Sequence, residues 1–245
     1  MTKRKIVGSF MIEKKICCEN GDLKKNIRSF VTVTEDEYRQ KNSNKSFKLY
    51  LDILNFKGYK FENCFIELIY KTLVAWNMNS RGAKLKKLEK FKETLLENKD
   101  KINKLKDFNL ERFNFDEYKK EEGKIFTILE ELFSSLDLTQ TKTKLVTFSK
   151  TLHFLLPNLI VPIDRKYTLK FFELSYTNNN NKKDEFEKFK QIEKAFIEFY
   201  LSHKIIIDKI KNSKNKNSKN QNNFPVTKIL DDMIIGYHKY KEKVN

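Results

Sequence analysis

The chain has 245 residues, a formal net charge of +17, 39% hydrophobic residues and 21 phenylalanines. This composition excludes an intrinsically disordered chain, and no apolar run approaches the ~20 residues that are needed to span a bilayer. The three cysteines have no metal-ligand spacing, so we expect unremarkable reduced thiols in a cytoplasmic protein without a membrane anchor.

The positive charge is almost entirely lysine, because arginine occurs at only six positions. A basic chain of this size favours a phosphate-containing partner such as nucleic acid. Lysine also clusters with asparagine, as in residues 178–183 and 211–223. That pairing is equally consistent with a compositional drift toward these two residues. The charge alone therefore leaves both interpretations open.

The first 33 residues form the least helix-like part of the sequence. Phe10–Ile12 and Phe30–Val33 are short β-prone pieces, and Asn20-Gly21 is a turn signal between them. We predict an N-terminal extension over residues 1–33 with a small β-hairpin, followed by a helical domain over residues 34–245.

Apolar residues in that helical domain recur every three or four positions, which is typical of amphipathic helices. The pattern predicts an all-α globule of about eight helices. We expect a mobile Lys/Asn-rich loop at 211–223. The predicted helices cover residues 35–54, 62–77, 85–95, 102–108, 115–136, 145–156, 164–172, 184–210 and 225–237.

The motifs of several enzyme classes are missing from the sequence. It contains no HExxH or CxxC, and its three histidines are far apart, so we predict no metal site. There is no phosphate-binding GxxxxGK[ST] and no GxGxxG, and we predict no cofactor. His153 lies among apolar residues and is predicted to be a satisfied core histidine rather than a ligand.

The most sharply punctuated stretch is LVTFSKTLHFLLPNLIVPIDRKYTLKFF, residues 145–172. It predicts a helix that stops at Pro157, a short apolar loop, and a second helix that Asp164 caps. An N-cap carboxylate stays ionised in the positive potential of the helix end, and a desolvated amine at Lys150 is a potential nucleophile. The simpler alternative is that Asp164 only caps its helix and Lys150 is a solvated surface residue.

This stretch resembles the catalytic region of the helix-hairpin-helix DNA glycosylase superfamily, in which a hairpin helix precedes a loop that ends in an aspartate at a helix start. Ser149-Lys150-Thr151 corresponds to the second hairpin helix and Ile163-Asp164 to the aspartate pair. The segment FENCFIELIYKTLVAWNMNSRGAKL, residues 61–85, resembles the opening helix of that superfamily and the turn after it. The chain is similar to the superfamily itself or to a sister group that shares the fold without the activity.

The resemblance implies a two-lobed helical fold, double-stranded DNA as the partner, and a flipped-out nucleotide as the reacting group. Asp164 would stabilise positive charge on the sugar or orient the nucleophile. In bifunctional members a lysine attacks the sugar carbon, and Lys150 is the matching position. The implied DNA contacts are made by five further residues: Arg81, Lys144, Ser149, Arg165 and Lys166. A bacterial or archaeal protein of this kind would associate with the nucleoid, and a eukaryotic one would be nuclear.

Two other functions remain open at this stage. One is a non-catalytic helical module that binds nucleic acid or regulates another protein. The other is an interaction protein without a nucleic-acid partner, whose basic charge reflects drift alone.

Overall fold

The structure is a computed structural model that describes residues 8–17, 21–40, 45–78, 84–141, 143–174, 182–217 and 223–244. These ranges are almost entirely helical, which confirms the predicted all-α class. The β structure within them is one antiparallel bridge between Leu85 and Thr139.

Eleven α-helices lie within the described ranges, together with a short 3-10 turn at Leu110–Arg112 and a π-helical turn at Arg165–Leu169. The α-helices are α1 (Ser9–Cys17), α2 (Leu23–Gln40), α3 (Lys45–Leu54), α4 (Asn63–Ala75), α5 (Leu88–Glu97), α6 (Lys99–Leu105), α7 (Phe115–Ser135), α8 (Leu145–Leu155), α9 (Lys182–Ser202), α10 (Lys204–Asn217) and α11 (Val226–Val244).

The predicted N-terminal hairpin is wrong, because α1 and α2 occupy most of that segment. Phe30–Val33 is β-prone in isolation, but in the folded chain Phe30 and Val31 are buried on the face of α2 that meets α11. The ring of Phe30 makes edge contacts with Tyr237 and Tyr240 of α11. Burial against a neighbouring helix therefore overrides the local β propensity.

Several helix boundaries also differ from the prediction. The single helix expected at 35–54 corresponds to the end of α2 and the whole of α3, and residues 41–44 lie outside the described residues. The single helix expected at 184–210 is two helices, α9 and α10, with a turn at His203 between them. The predicted loop at 211–223 is wrong for residues 211–217, which continue α10. Lys211 and Lys214 explain the extension, because each pairs with an acid elsewhere, Glu111 and Asp232 respectively.

The two ends of the chain pack together. Helix α2 lies along α11, α10 contacts both, and α1 packs on α2 and α9. The closest approach is at Gly236, where a Cβ atom would stand 1.9 Å from the backbone oxygen of Phe30. Glycine is thus the residue that lets α11 rest directly on the backbone of α2.

The middle of the chain forms a second group of helices, in which α3 packs on α4, α4 on α5 and α8, and α6 on α7. Helix α9 contacts both α7 and α8 and so joins this group to the terminal helices. An aromatic cluster fills that junction, where the rings of Phe148 and Phe133 lie 4.8 Å apart and those of Phe148 and Phe189 lie 5.1 Å apart. Helix α8 is therefore held firmly from one side, while its other side reaches a cleft.

Candidate functional site

The loop between α8 and the π-helical turn is fixed to α8 by a buried hydroxyl. Ser149 is fully buried, and its Oγ donates to the carbonyl of Val146 at 3.1 Å and accepts the backbone N–H of Ile163 at 3.1 Å. On the far side of the loop, the N–H of Val161 donates to Glu193 of α9 at 3.1 Å. The bonds from Val161 and Ile163 fix the loop and so set the position of Asp164, which follows Ile163.

Asp164 caps the π-helical turn, as the sequence predicted for the helix start. Its Oδ1 accepts the backbone N–H groups of Lys166 at 2.7 Å and Tyr167 at 3.4 Å. The N–H of Leu169 bonds to the carbonyl of Asp164 at 3.0 Å, five residues back, which makes the turn wider than an α-helix. Turns of this kind are frequent at functional sites.

The second carboxylate oxygen of Asp164 meets Lys150. The Lys150 Nζ lies 2.9 Å from Oδ2, with 8% of the lysine side chain and 30% of the aspartate side chain exposed. Burial works against the charge on Asp164, but Lys150 and the two capping amides outweigh it, so the pKa of Asp164 lies below its ordinary value. The carboxylate is therefore ionised at neutral pH and forms a charged pair with the lysine.

The pair forms part of the wall of a cleft of about 340 Å³. Aromatic side chains from three elements line the cleft beside it: Phe47 and Tyr50 of α3, Trp76 at the end of α4, and Tyr167 of the π-helical turn. The Lys150 Nζ lies 5.3 Å from the centre of the Trp76 ring. The cleft therefore combines flat apolar surfaces with the ion pair of Lys150 and Asp164, and its volume lies within the range of small-molecule sites.

Helix α11 contributes a second set of charges to the same cleft. Lys228 and Asp231 line it, and the Lys228 Nζ lies 2.8 Å from Asp231 and 2.5 Å from Asp232. Lys214 of α10 lies 2.6 Å from the other oxygen of Asp232. Two lysines and two aspartates thus form a buried network with balanced charge.

The two aspartates of this network differ in their ionisation. Burial and the neighbouring Asp232 raise the pKa of Asp231 to about 6, although Lys228 opposes the rise. Burial also disfavours the charge on Asp232, but Lys214 and Lys228 together hold its pKa below the ordinary value. The carboxyl of Asp231, which lines the cleft, is therefore the member of the network that takes up a proton first.

His153 lies behind the cleft and has no exposed surface. Its Nδ1 is 2.8 Å from the carbonyl of Ile160, and its Nε2 is 2.9 Å from the hydroxyl of Tyr50. Burial lowers the pKa of His153 to about 3, so the ring is neutral. Since a carbonyl only accepts, Nδ1 carries the proton, and Tyr50 donates to Nε2. The prediction of a satisfied core histidine is confirmed.

The structure brings together some of the predicted site residues and separates others. Lys150 and Asp164 meet in the cleft wall, and Arg165 and Lys166 follow on exposed positions of the π-helical turn. The predicted DNA contact at Ser149 is wrong, because its hydroxyl is enclosed between α8 and the loop. Arg81 lies outside the described residues.

The predicted DNA contact at Lys144 is also wrong, because this side chain is buried. Only 6% of the residue is exposed, and its Nζ lies 4.8 Å from the centre of the Phe133 ring in the core. Its backbone N–H donates to Glu185 of α9 at 3.1 Å. Lys144 therefore fixes the start of α8, and its side chain is not accessible to DNA.

Sequence reasoning missed the contribution of α11 to the cleft. The available signal was the placement of Lys228, Asp231 and Asp232 among apolar residues of one short stretch, VTKILDDMII. Charged side chains on an apolar helix are expected to be paired when the helix is buried on all sides. Nothing in the sequence indicated which other elements they would face.

No protein-family model, curated protein or solved structure matches this chain. Among the described residues, no group of three or more histidine, cysteine, aspartate or glutamate side chains is placed to hold a metal ion. None of the helices in the described ranges has the length and apolar character to cross a membrane.

Proposed function

We propose that the cleft receives a single nucleotide turned out of a DNA strand and that Lys150 and Asp164 cleave its N-glycosidic bond. The observation that carries this proposal is the ion pair between the buried Lys150 amine and the helix-capping carboxylate of Asp164, in the wall of an aromatic cleft. The resemblance of residues 145–172 to the helix-hairpin-helix DNA glycosylase superfamily is consistent with this pair.

The aromatic lining suits a nucleobase, because every base has a flat face that stacks on aromatic rings. Trp76 and Tyr167 approach the ion pair from two different elements, and both line the cleft. The exposed Arg165 and Lys166 follow Asp164 directly along the chain. Positive charge at that position supports contact with the phosphates on either side of the inserted nucleotide.

The chemistry follows from the two charged groups. The bond between the sugar C1′ and the base nitrogen breaks, its electron pair leaves with the base, and the Lys150 ammonium protonates the departing base. The ionised Asp164 stabilises the positive charge that develops on the sugar. The amine of Lys150, now neutral, attacks C1′. The bond between C1′ and the ring oxygen then breaks, its electron pair stays on the oxygen, which takes a proton from the nitrogen, and a protonated imine remains between the enzyme and the sugar.

Borohydride reduction tests this proposal, because it converts such an imine into a stable cross-link. We expect wild-type protein to be trapped on duplexes that carry an abasic site or a damaged base. Lys150→Arg keeps the positive charge but has no amine that can form an imine, so trapping is expected to disappear. Asp164→Asn keeps a good helix cap and removes the charge, so base release is expected to fall by about 100-fold.

Lys170→Arg is the matched control, since Lys170 is an exposed lysine on the same segment and its substitution is expected to leave trapping unchanged. Absence of a cross-link with every duplex, together with base release that is unaltered in Asp164→Asn, would refute the enzymatic function.

One observation favours a second candidate, a non-catalytic nucleic-acid-binding module. Asp164 already accepts two backbone amides and the Lys150 amine, so the pair also serves to fasten the π-helical turn to α8. In that case DNA binding persists in Asp164→Asn, weakens steeply with salt, and leaves the DNA chemically unchanged.

A further inference from the structure

A second concave surface lies at the C-terminal end of α8. This pocket has a volume of about 360 Å³ and is formed by the α3–α4 connection, the segment after α6, and the end of α8 with the loop that follows. Two of its ten lining residues are charged, Lys60 and Lys106, and none is acidic. The floor is apolar and includes Phe108, Leu155 and Pro157.

Lys60 is half-buried, and its Nζ donates to the carbonyl of Leu155 at 3.0 Å, at the last turn of α8. A cation is favoured at the C-terminal end of a helix, so α8 stabilises the positive charge of Lys60. Burial and, to a smaller extent, the charge of Lys106 together lower the pKa of Lys60 to about 8. The pocket therefore holds two ammonium groups that repel each other.

No carboxylate among the described residues neutralises these two lysines within ion-pair distance. The ammonium of Lys106 instead lies over aromatic rings, 4.9 Å from the centre of Phe61 and 5.6 Å from that of Tyr59. Glu62, the acid nearest to Lys60 in sequence, accepts the backbone N–H of Tyr59 at 3.2 Å, and Asp107, which follows Lys106 directly, is exposed. Lys60 is half-buried and Lys106 is exposed, so the cost of a charge without an acid falls mainly on Lys60, and an anion that binds between the two lysines relieves it.

We propose that this pocket binds a phosphate group through Lys60 and Lys106. The exposed ring of Tyr59 and the apolar floor accept the organic part of a phosphate ester, and the side-chain amide of Asn158 at the rim adds a neutral donor. The proposal does not rest on the glycosidic chemistry, because the lining of this pocket shares no residue with the cleft.

Titration of inorganic phosphate, followed by phosphorus NMR or calorimetry, measures the binding directly. We expect saturable binding by the wild type and roughly tenfold weaker binding by Lys60→Gln and by Lys106→Gln, because each removes one charge-assisted hydrogen bond. Lys104→Gln is the matched control, since Lys104 is an exposed lysine of α6 outside the pocket, and its phosphate affinity is expected to equal that of the wild type.

Site-resolved labelling of lysines by an amine-reactive reagent provides a second measurement, on the wild-type protein. Lys60 is expected to react faster than Lys104, because more of its amine is neutral near pH 8. Phosphate that binds beside Lys60 stabilises its charged form and slows its labelling, while the labelling of Lys104 stays constant.

Two probes distinguish the sources of the phosphate. Protection of Lys60 by a short DNA oligonucleotide, at lower concentration than inorganic phosphate requires, identifies a nucleic-acid backbone. Protection by inorganic phosphate or a mononucleotide, but not by the oligonucleotide, identifies a small phosphate compound. Lys60 labelling that neither probe alters, with no saturable binding of inorganic phosphate, overturns the proposal.

Discussion

Replacing Gly236 with alanine is expected to destabilise the protein, because α11 rests on the backbone of α2 at that position. The added Cβ atom would stand 1.9 Å from the carbonyl oxygen of Phe30 and 2.5 Å from its carbonyl carbon, whereas real contacts of this kind are essentially never shorter than 3.0 Å. Because the obstacle is backbone and not the end of a flexible side chain, the two helices must move apart.

The magnitude follows from two opposing effects. Overpacking of a well-packed interface costs about 1–3 kcal/mol, and a backbone clash belongs at the upper end of that range. Alanine has a higher helix propensity than glycine, which offsets about 1 kcal/mol. The net loss in free energy of unfolding is about 2 kcal/mol, which corresponds to a decrease in Tm of about 4–8 °C for a chain of this size.

Thermal and urea unfolding followed by circular dichroism measure this effect, and Gly123→Ala is the matched control. Gly123 is an exposed glycine inside α7, and a Cβ atom there would meet nothing within 4 Å. The same substitution is therefore expected to stabilise the protein by about 0.5–1 kcal/mol. Equal stability of Gly236→Ala and wild type, or an equal loss in both variants, would refute the close packing of α2 on α11.

Three further predictions concern buried polar groups. Burial raises the pKa of Glu193 well above its ordinary value of 4.5. The folded state therefore keeps the proton that the unfolded state loses, so Glu193 makes stability fall as pH rises from about 4.5 through its native pKa. Urea unfolding of Glu193→Gln should show a smaller fall than the wild type, because Asp231 still contributes to it, and an equal fall in both proteins would contradict the prediction. Lys228→Met leaves Asp231 and Asp232 buried without the cation that they share, and we expect it to lower the free energy of unfolding by about 3–5 kcal/mol. Urea unfolding measures this loss, and an unchanged midpoint would contradict it. Ser149→Ala removes the buried acceptor of the Ile163 N–H and is expected to cost about 1–3 kcal/mol, whereas a variant as stable as wild type would mean that this bond does not position the loop.

The helices in the middle of the chain were predictable because their apolar residues face one direction at helical spacing. Helices α4, α7 and α8 begin and end within a few residues of the predicted bounds, and α7 has the acidic first turn that favours a helix start. The N-terminal helices were not predictable from local pattern. Phe30–Val33 has the composition of a strand, and burial against α11, which is some 200 residues away in sequence, overrides that preference.

The part of the cleft that α8 and the following loop form was predictable from the sequence. Pro157, Pro162 and Asp164 mark a loop and a helix cap in the sequence itself, and Lys150 lies on the helix that leads into them. The role of Lys228 and Asp231 depends on how α11 packs across the cleft, which no local pattern encodes. Burial of Ser149 and Lys144 was equally invisible, because serine and lysine are ordinarily surface residues.

The five-residue hydrogen bond that closes the turn after Asp164 has a consequence for how this chain tolerates changes in length. A wide turn holds one residue more than an α-helix of the same rise, so the loss of one residue within Arg165–Leu169 would leave an ordinary α-helical turn and keep the register of the elements on either side. In the regular helix α8, by contrast, the loss of one residue would turn the side chains beyond it by roughly 100° about the axis. A single deletion is thus expected to be better tolerated in this turn than in α8.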